Sequence, residues 1–127
     1  MQHRQRVSSG SPFEHSVGFS RAVRVGAHVA VSGTAPIRPD GQVDSDPLVQ
    51  ARRCWDIALA ALADAGGSAG DVVRTRTYLV DAADEQAAAQ AHRERFADVL
   101  PASTMVVVAA LLDPRWKVEV ELNAYLG

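Results

Sequence analysis

A single cysteine, Cys54, stands in the 127 residues, so neither an intrachain disulfide framework nor a cysteine-based metal site can be built. Its place between Arg53 and Trp55, within a helical pattern, is that of a small buried hydrophobe rather than a nucleophile. No apolar run approaches the ~20 residues of a membrane span, and Met1 to Ser11 lack the apolar core of a secretion signal. Together these absences predict a cytoplasmic protein that does not enter membranes. Aromatic residues make up only 6%, and the formal charge is −2 with acids and bases interspersed. The basic stretches, Arg21 to Arg24 and Arg52-Arg53, are too short for a phosphate-binding stripe, so nucleic acid is not an expected partner. His3, His15 and His28 show no metal-ligand spacing, and no metal is expected.

What the chain does have is 47% hydrophobic residues, enough at this length for the core of one domain spanning 1–127. Phe19 to Val25 alternates apolar and polar residues, Gly26-Ala27 breaks the run, and His28 to Ser32 resumes it, which predicts a β-hairpin. Pro39-Asp40-Gly41-Gln42 is a turn, followed by a short strand or an irregular connection. Asp46 before Pro47 is a helix start, and Leu48, Ala51, Trp55, Ala58, Leu59 and Leu62 share one face until Gly66-Gly67 stops the helix. A β-branched strand runs from Val72 to Val80, and a second helix from Asp84 to about Asp98, with His92 packed on its inner side. Thr104 to Leu111 and Trp116 to Tyr125 read as two closing strands. The order predicts an α+β fold, one mixed sheet of about six strands with two helices on one face.

In the last strand Glu119 and Glu121 fall on one face and Val118 and Val120 on the other. Carboxylates on a sheet face are either solvated or border a cleft where they can hold water or move a proton. The strand before it carries apolar residues on both faces, Met105 and Val107 on one and Val106 and Val108 on the other, which predicts burial of the second sheet face in an oligomer.

Four segments in register resemble the RidA family, also called YjgF. They are Gly18-Phe19-Ser20-Arg21-Ala22-Val23, Val31-Ser32-Gly33-Thr34, the stretch Gly70 to Leu79, and Val118-Glu119-Val120-Glu121-Leu122-Asn123-Ala124. The resemblance spans nearly the whole chain and implies a chorismate-mutase-like sandwich assembled as a homotrimer. It implies a site between subunits, no metal or organic cofactor, and hydrolysis of reactive enamines and imines. By the same resemblance Glu119 handles the water, Gly33 holds the ligand through its backbone, and Phe19 walls the pocket. The family's carboxylate-clamping arginine, in a P-A-R-S motif, falls on Ser103 of Pro101-Ala102-Ser103-Thr104, and its thiol position falls on Met105.

A charge-assisted bidentate contact of this kind is worth roughly 2 to 5 kcal/mol when desolvated, so the usual 2-imino acid is not the expected substrate. Ser103 instead suits a neutral or hydroxylated ligand, although no histidine that could activate it is near in sequence. Arg115, after the turn proline, is a candidate to bind substrate from another direction, and one of Arg21 and Arg24 could reach a cleft. Glu121 is expected to be a structural or interface charge. Two function classes follow: an enzyme doing water and proton chemistry on a small imine, enamine or carbonyl compound, or a trimer with a vestigial site that binds a metabolite or partner without turnover.

Overall fold

The computed structural model describes residues 3–127. Six strands form one mixed sheet in the order β1-β2-β3-β6-β4-β5: β1 (Arg4–Val7), β2 (Ala22–Val25), β3 (His28–Thr34), β4 (Val72–Leu79), β5 (Ala102–Val107) and β6 (Val118–Tyr125). All neighbours are antiparallel except β4 and β5. Two helices, α1 (Pro47–Asp64) and α2 (Glu85–Phe96), make the crossovers. The second joins the adjacent parallel pair β4 and β5, whereas the first leads from β3 to β4 with β6 inserted between them. No helix among the described residues is long and apolar enough to cross a membrane.

α1 starts and stops where its sequence says. The Asp46 carboxylate accepts from the backbone N–H of Leu48 at 2.8 Å and of Val49 at 3.3 Å, Pro47 takes the first helical position, and Gly66 turns the chain with φ of 98°. Its stripe Ala51, Trp55, Ala58 and Leu62 is buried against the alternate residues Val118, Val120, Leu122 and Ala124 of β6 and Val29 and Val31 of β3. Trp55 meets Phe96 of α2 edge-on at 5.0 Å, which locks the two helices together over the same sheet face. Each fully buried large apolar side chain contributes about 1.5–3 kcal/mol, so this layer is the main source of stability. Cys54 lies fully buried in it, and burial pushes its thiol pKa up.

The structure differs from the sequence reading in several local features. β1 was not expected in the polar start of the chain; it forms because Val7 reaches the core and Gln5 reaches the end of α1 at the Asp64 carbonyl. Of the two alternatives after Gly41 the structure has the irregular connection, held by Arg38 ion pairs to Asp40 and Asp44 at 3.0 and 3.1 Å. Asp84 makes no side-chain cap, and Asp81 caps the preceding single turn through the Ala83 N–H at 2.9 Å. β5 spans Ala102–Val107 rather than beginning at Thr104 and running to Leu111. It is an edge strand, and Val106 and Val107 stand 42% and 54% exposed in the single chain.

One buried polar side chain sets where β6 begins. Gln50, on the inner face of α1, donates from Nε2 to the carbonyls of Asp44 at 2.7 Å and Arg115 at 2.9 Å, and its Oε1 accepts from the Lys117 N–H at 2.8 Å. Gln50→Leu leaves these backbone groups without partners, at about 1–3 kcal/mol each where they stay dry. We expect a loss of at least about 2 kcal/mol in urea denaturation, whereas an exposed α1 change such as Ala63→Gln stays within about 0.5 kcal/mol.

Candidate active site

Glu119 projects from the sheet face that the helices leave open, as the alternation of β6 requires. β6 pairs with β3 through Thr34↔Val120, with a register irregularity between Val31 and Thr34 that brings Gly33 beside the carboxylate. A Cβ at Gly33 would sit 2.6 Å from Glu119 Oε2, so the absence of a side chain there is what admits the acid. The Gly33 carbonyl accepts a hydrogen bond from the Arg21 guanidinium. Ser32 Oγ donates to the Ser20 carbonyl at 2.6 Å, tying the segment Phe19 to Arg21 against the end of β3. Phe19 lies at the entry to β2, 37% exposed, and its N–H closes the single π-helical turn Glu14–Gly18 on the Glu14 carbonyl at 2.9 Å.

The electrostatics of this corner are those of a tuned acid. Burial raises the Glu119 pKa above the usual carboxylate value; Arg21 opposes the rise and Glu121 adds to it. Arg21 also feels Glu14, a buried carboxylate that accepts from Ser8 Oγ at 2.9 Å and from the Ser9 N–H at 3.0 Å. Burial acts to raise the Glu14 pKa, but these hydrogen bonds and the Arg21 charge leave it below the usual value. Glu121 has a different partner, the Tyr78 hydroxyl, which donates to it across the β4–β6 ladder.

Ser103 and Met105 lie elsewhere. Ser103 pairs with Thr75 in the β4–β5 ladder and shares its helix-covered side, with β4 intervening between β5 and the strand of Glu119. Strands spaced about 4.8 Å apart, with the two side chains on opposite faces, keep Glu119 and Ser103 from meeting one small ligand within one chain. Met105 borders a shallow cavity of about 260 Å³ with Leu79, Ala82 and Glu85. Arg115 sits on the exposed turn before β6, bonded to Asp113 at 2.8 and 3.1 Å, with the Gly41 carbonyl 3.4 Å from Nη1. Arg24 binds the Ala65 carbonyl at the end of α1, so of the two β2-region arginines it is Arg21, held on the Gly33 carbonyl, whose charge acts on the acid.

Two connections were not singled out from sequence. Arg21 has the same strand parity as Val23, hence the open face, but only the pairing of β3 with β6 brings it to Glu119. His92, eleven residues before Ser103 on the preceding helix, is joined to it through β4: Thr75 Oγ1 lies 2.8 Å from His92 Nε2 and 2.9 Å from Ser103 Oγ. No cluster of three or more His, Cys, Asp or Glu among the described residues is placed to hold a metal ion.

A carboxyl whose folded pKa lies above its ordinary 4.5 binds its proton more tightly when folded, so stability falls as pH rises between the two values. Glu119→Gln, fixed in the neutral form, is therefore expected to melt higher than the wild type at pH 7, with the gap closing toward pH 4; thermal melts across that range check it. Gly33→Ala forces aside only the flexible end of Glu119, and Gly33 does not have a positive φ. It should retain the wild-type melting temperature while shifting the Glu119 carboxyl resonance and its titration in ¹³C NMR.

Comparison with known proteins matches residues 10–126 to the model of the family described as endoribonuclease L-PSP. The chain is 40% identical to a solved Mycobacterium tuberculosis member of the YjgF/YER057c/UK114 family, covering 98% of this chain and 100% of that one with a TM-score of 0.90. It is 31% identical to the 2-iminobutanoate/2-iminopropanoate deaminase of Escherichia coli strain K12 over 84% of each chain. It is 25% identical to the E. coli protein TdcF, solved with bound serine, with 96% and 94% of the two chains covered and a TM-score of 0.82. With the sheet order, the helix-covered face and the four sequence segments all in agreement, the chain belongs to the endoribonuclease L-PSP family, the RidA/YjgF proteins.

Proposed function

We propose that this protein is a RidA-like enzyme that uses water and proton chemistry on a reactive imine, enamine or related carbonyl compound lacking the usual amino-acid carboxylate. Family membership supports the coarser statement, a deaminase-like or small-molecule-binding role. The observation that carries the finer one is the half-buried Glu119 carboxylate, raised in pKa, seated in the space Gly33 leaves open and balanced by Arg21. Such a group can take a proton from water as it attacks an sp² carbon, and return it to the departing nitrogen. Its ionised form is the base, so turnover should rise with pH through the Glu119 titration.

The geometry also supports an intersubunit site. Glu119, Gly33 and Phe19 lie on one side of β4, with Ser103 and Met105 on the other, so one ligand meets both groups only if a second copy supplies one of them. A homotrimer fits this need and covers the exposed Val73, Val106 and Tyr125. We place it in the cytoplasm, a compartment that suits the unpaired, buried Cys54. Phosphate-backbone binding has no support in a chain of net charge −2, despite the nuclease in the family's description. Arg115 remains a candidate substrate contact only if a ligand draws it from Asp113.

Freshly generated imines, one carrying a carboxylate and one neutral, would be offered to the purified protein. The neutral imine is expected to turn over, with Glu119→Ala lowering kcat/KM by about 10²–10⁴. Arg21→Gln removes the charge that holds the Glu119 pKa down, so the rising limb of the pH profile should move to higher pH. Ser103→Arg should raise activity toward 2-iminopropionate by restoring a carboxylate clamp. Binding without turnover of either imine would favour the vestigial-site alternative, and a monomer in sedimentation would remove the intersubunit site.

A further inference from the structure

Thr75 is fully buried, yet its hydroxyl has a polar partner on each side. Valine would fill the same space without asking for either hydrogen bond. On one side, at 2.9 Å, is Ser103 Oγ, on the exposed edge strand and at the position where the family resemblance puts a ligand contact. On the other, at 2.8 Å, is Nε2 of His92. The imidazole is held by Trp55 edge-on at 5.6 Å and by Phe96 at 4.8 Å, so its orientation is fixed from two helices. It borders a surface cavity of about 220 Å³ lined also by Phe96, Leu100 and Pro101.

The groups packed on the ring from α1, α2 and β4 are Trp55, Phe96 and Thr75, none of which is charged; among the described residues Arg93 is the one charged group lining the cavity. Burial lowers the His92 pKa, which keeps the ring neutral at pH 7 and one nitrogen free to accept. Thr75 Oγ1 donates to Ser103 Oγ in the structure, but both hydroxyls can rotate, and in the reversed arrangement the pair of bonds runs from Ser103 through Thr75 to the imidazole.

We propose that Ser103, Thr75 and His92 form a proton relay that makes Ser103 a nucleophile toward an uncharged carbonyl or imine carbon. This deepens the proposed function, on which its choice of substrate rests, by naming the group that meets the electrophile in place of an anion clamp. Ser103 Oγ bonds to the carbon while the π pair moves onto oxygen or nitrogen, which takes a proton from solvent. The Ser103 proton passes to Thr75 Oγ1 as the Thr75 proton passes to His92 Nε2, and the imidazolium releases its extra proton to solvent through the cavity. Thr75 and His92 act through Ser103 and are positioning residues.

The test needs no turnover. Phenylmethylsulfonyl fluoride reports a reactive serine: the O–S bond forms, the S–F bond breaks, fluoride leaves and the serine proton goes to the relay. Peptide mass spectrometry of the full chain is expected to find Ser103 labelled at least about tenfold faster than the exposed Ser16 and Ser45, as base assistance implies. The rate should rise with pH through the His92 titration observed by imidazole NMR. Thr75→Val should slow Ser103 labelling about tenfold or more and flatten its pH profile, and His92→Gln should do the same with near-UV circular dichroism unchanged. Labelling of Ser103 at the rate of Ser45, or a rate and profile indifferent to both variants, overturns the relay. If Ser103 labels as expected but the neutral imine is not hydrolysed, the relay stands and the substrate reading falls. If the imine is hydrolysed, Glu119→Ala abolishes this, and Ser103→Ala and Thr75→Val change nothing, the relay falls and the substrate reading stands.

Discussion

The side-chain amide of Gln50 is the constraint on which the useful part of this fold depends. A polar group buried at the helix–sheet interface is tolerable only when its bonds are complete, and Gln50 completes them with backbone groups from the connection just before α1 and from the distant turn before β6. It fixes the Lys117 N–H, hence the first residue of β6, against α1. Register follows from there: with Val118 inward, Glu119 must face outward, and a slip of one residue would bury the acid and expose the valines. The hydrophobic layer supplies most of the free energy and forbids a slip of one residue, but it distinguishes poorly between registers two residues apart, which again place a valine inward. The amide does distinguish them, because its partners sit at one place only.

The same division of labour shapes the two halves of the site. On the open face, β6 lies between β3 and β4, and this central place gives Glu119 neighbours from both sides, Gly33 with Arg21 on one and Tyr78 on the other. On the helix-covered side, the parallel pairing of β4 with β5 sets Ser103 beside Thr75, and α2 lowers His92 onto the same hydroxyl. An acid whose proton is held more tightly than usual and a hydroxyl backed by a neutral imidazole are complementary instruments. They occupy opposite faces of a sheet one layer thick, which is why a second copy of the chain is central to the functional proposal.

Much of this was legible in the residues themselves. The limits of α1 follow from the Asp46 cap, Pro47 and Gly66-Gly67, which are local backbone chemistry, and the structure reproduces them nearly to the residue. The alternation of Val118 to Ala124 told which side of β6 carries the acids, because strand parity needs no tertiary information. β1 and the end of β5 were not legible, since a polar tetrapeptide becomes a strand only when a neighbouring edge is offered to it. The apolar run beyond Val107 has no strand partner after Leu79 ends β4, apart from one bond from the Val108 N–H at 2.7 Å.

By itself the sequence determined the family, the helix-over-sheet layering, and the residue types available for chemistry: an outward glutamate, a glycine near it and a serine where the resemblance calls for arginine. Only the tertiary structure decided which of them meet. Arg21 and Arg24 are equivalent in composition, and it is β3–β6 pairing that hands one to Glu119 while the end of α1 takes the other. Arg115 is held by Asp113 on its own turn, and His92 becomes part of the Ser103 environment through a threonine on a third element. Periodicity reports which face a side chain is on, whereas proximity between elements depends on strand order and helix placement, and these are set by long-range packing that no local window contains.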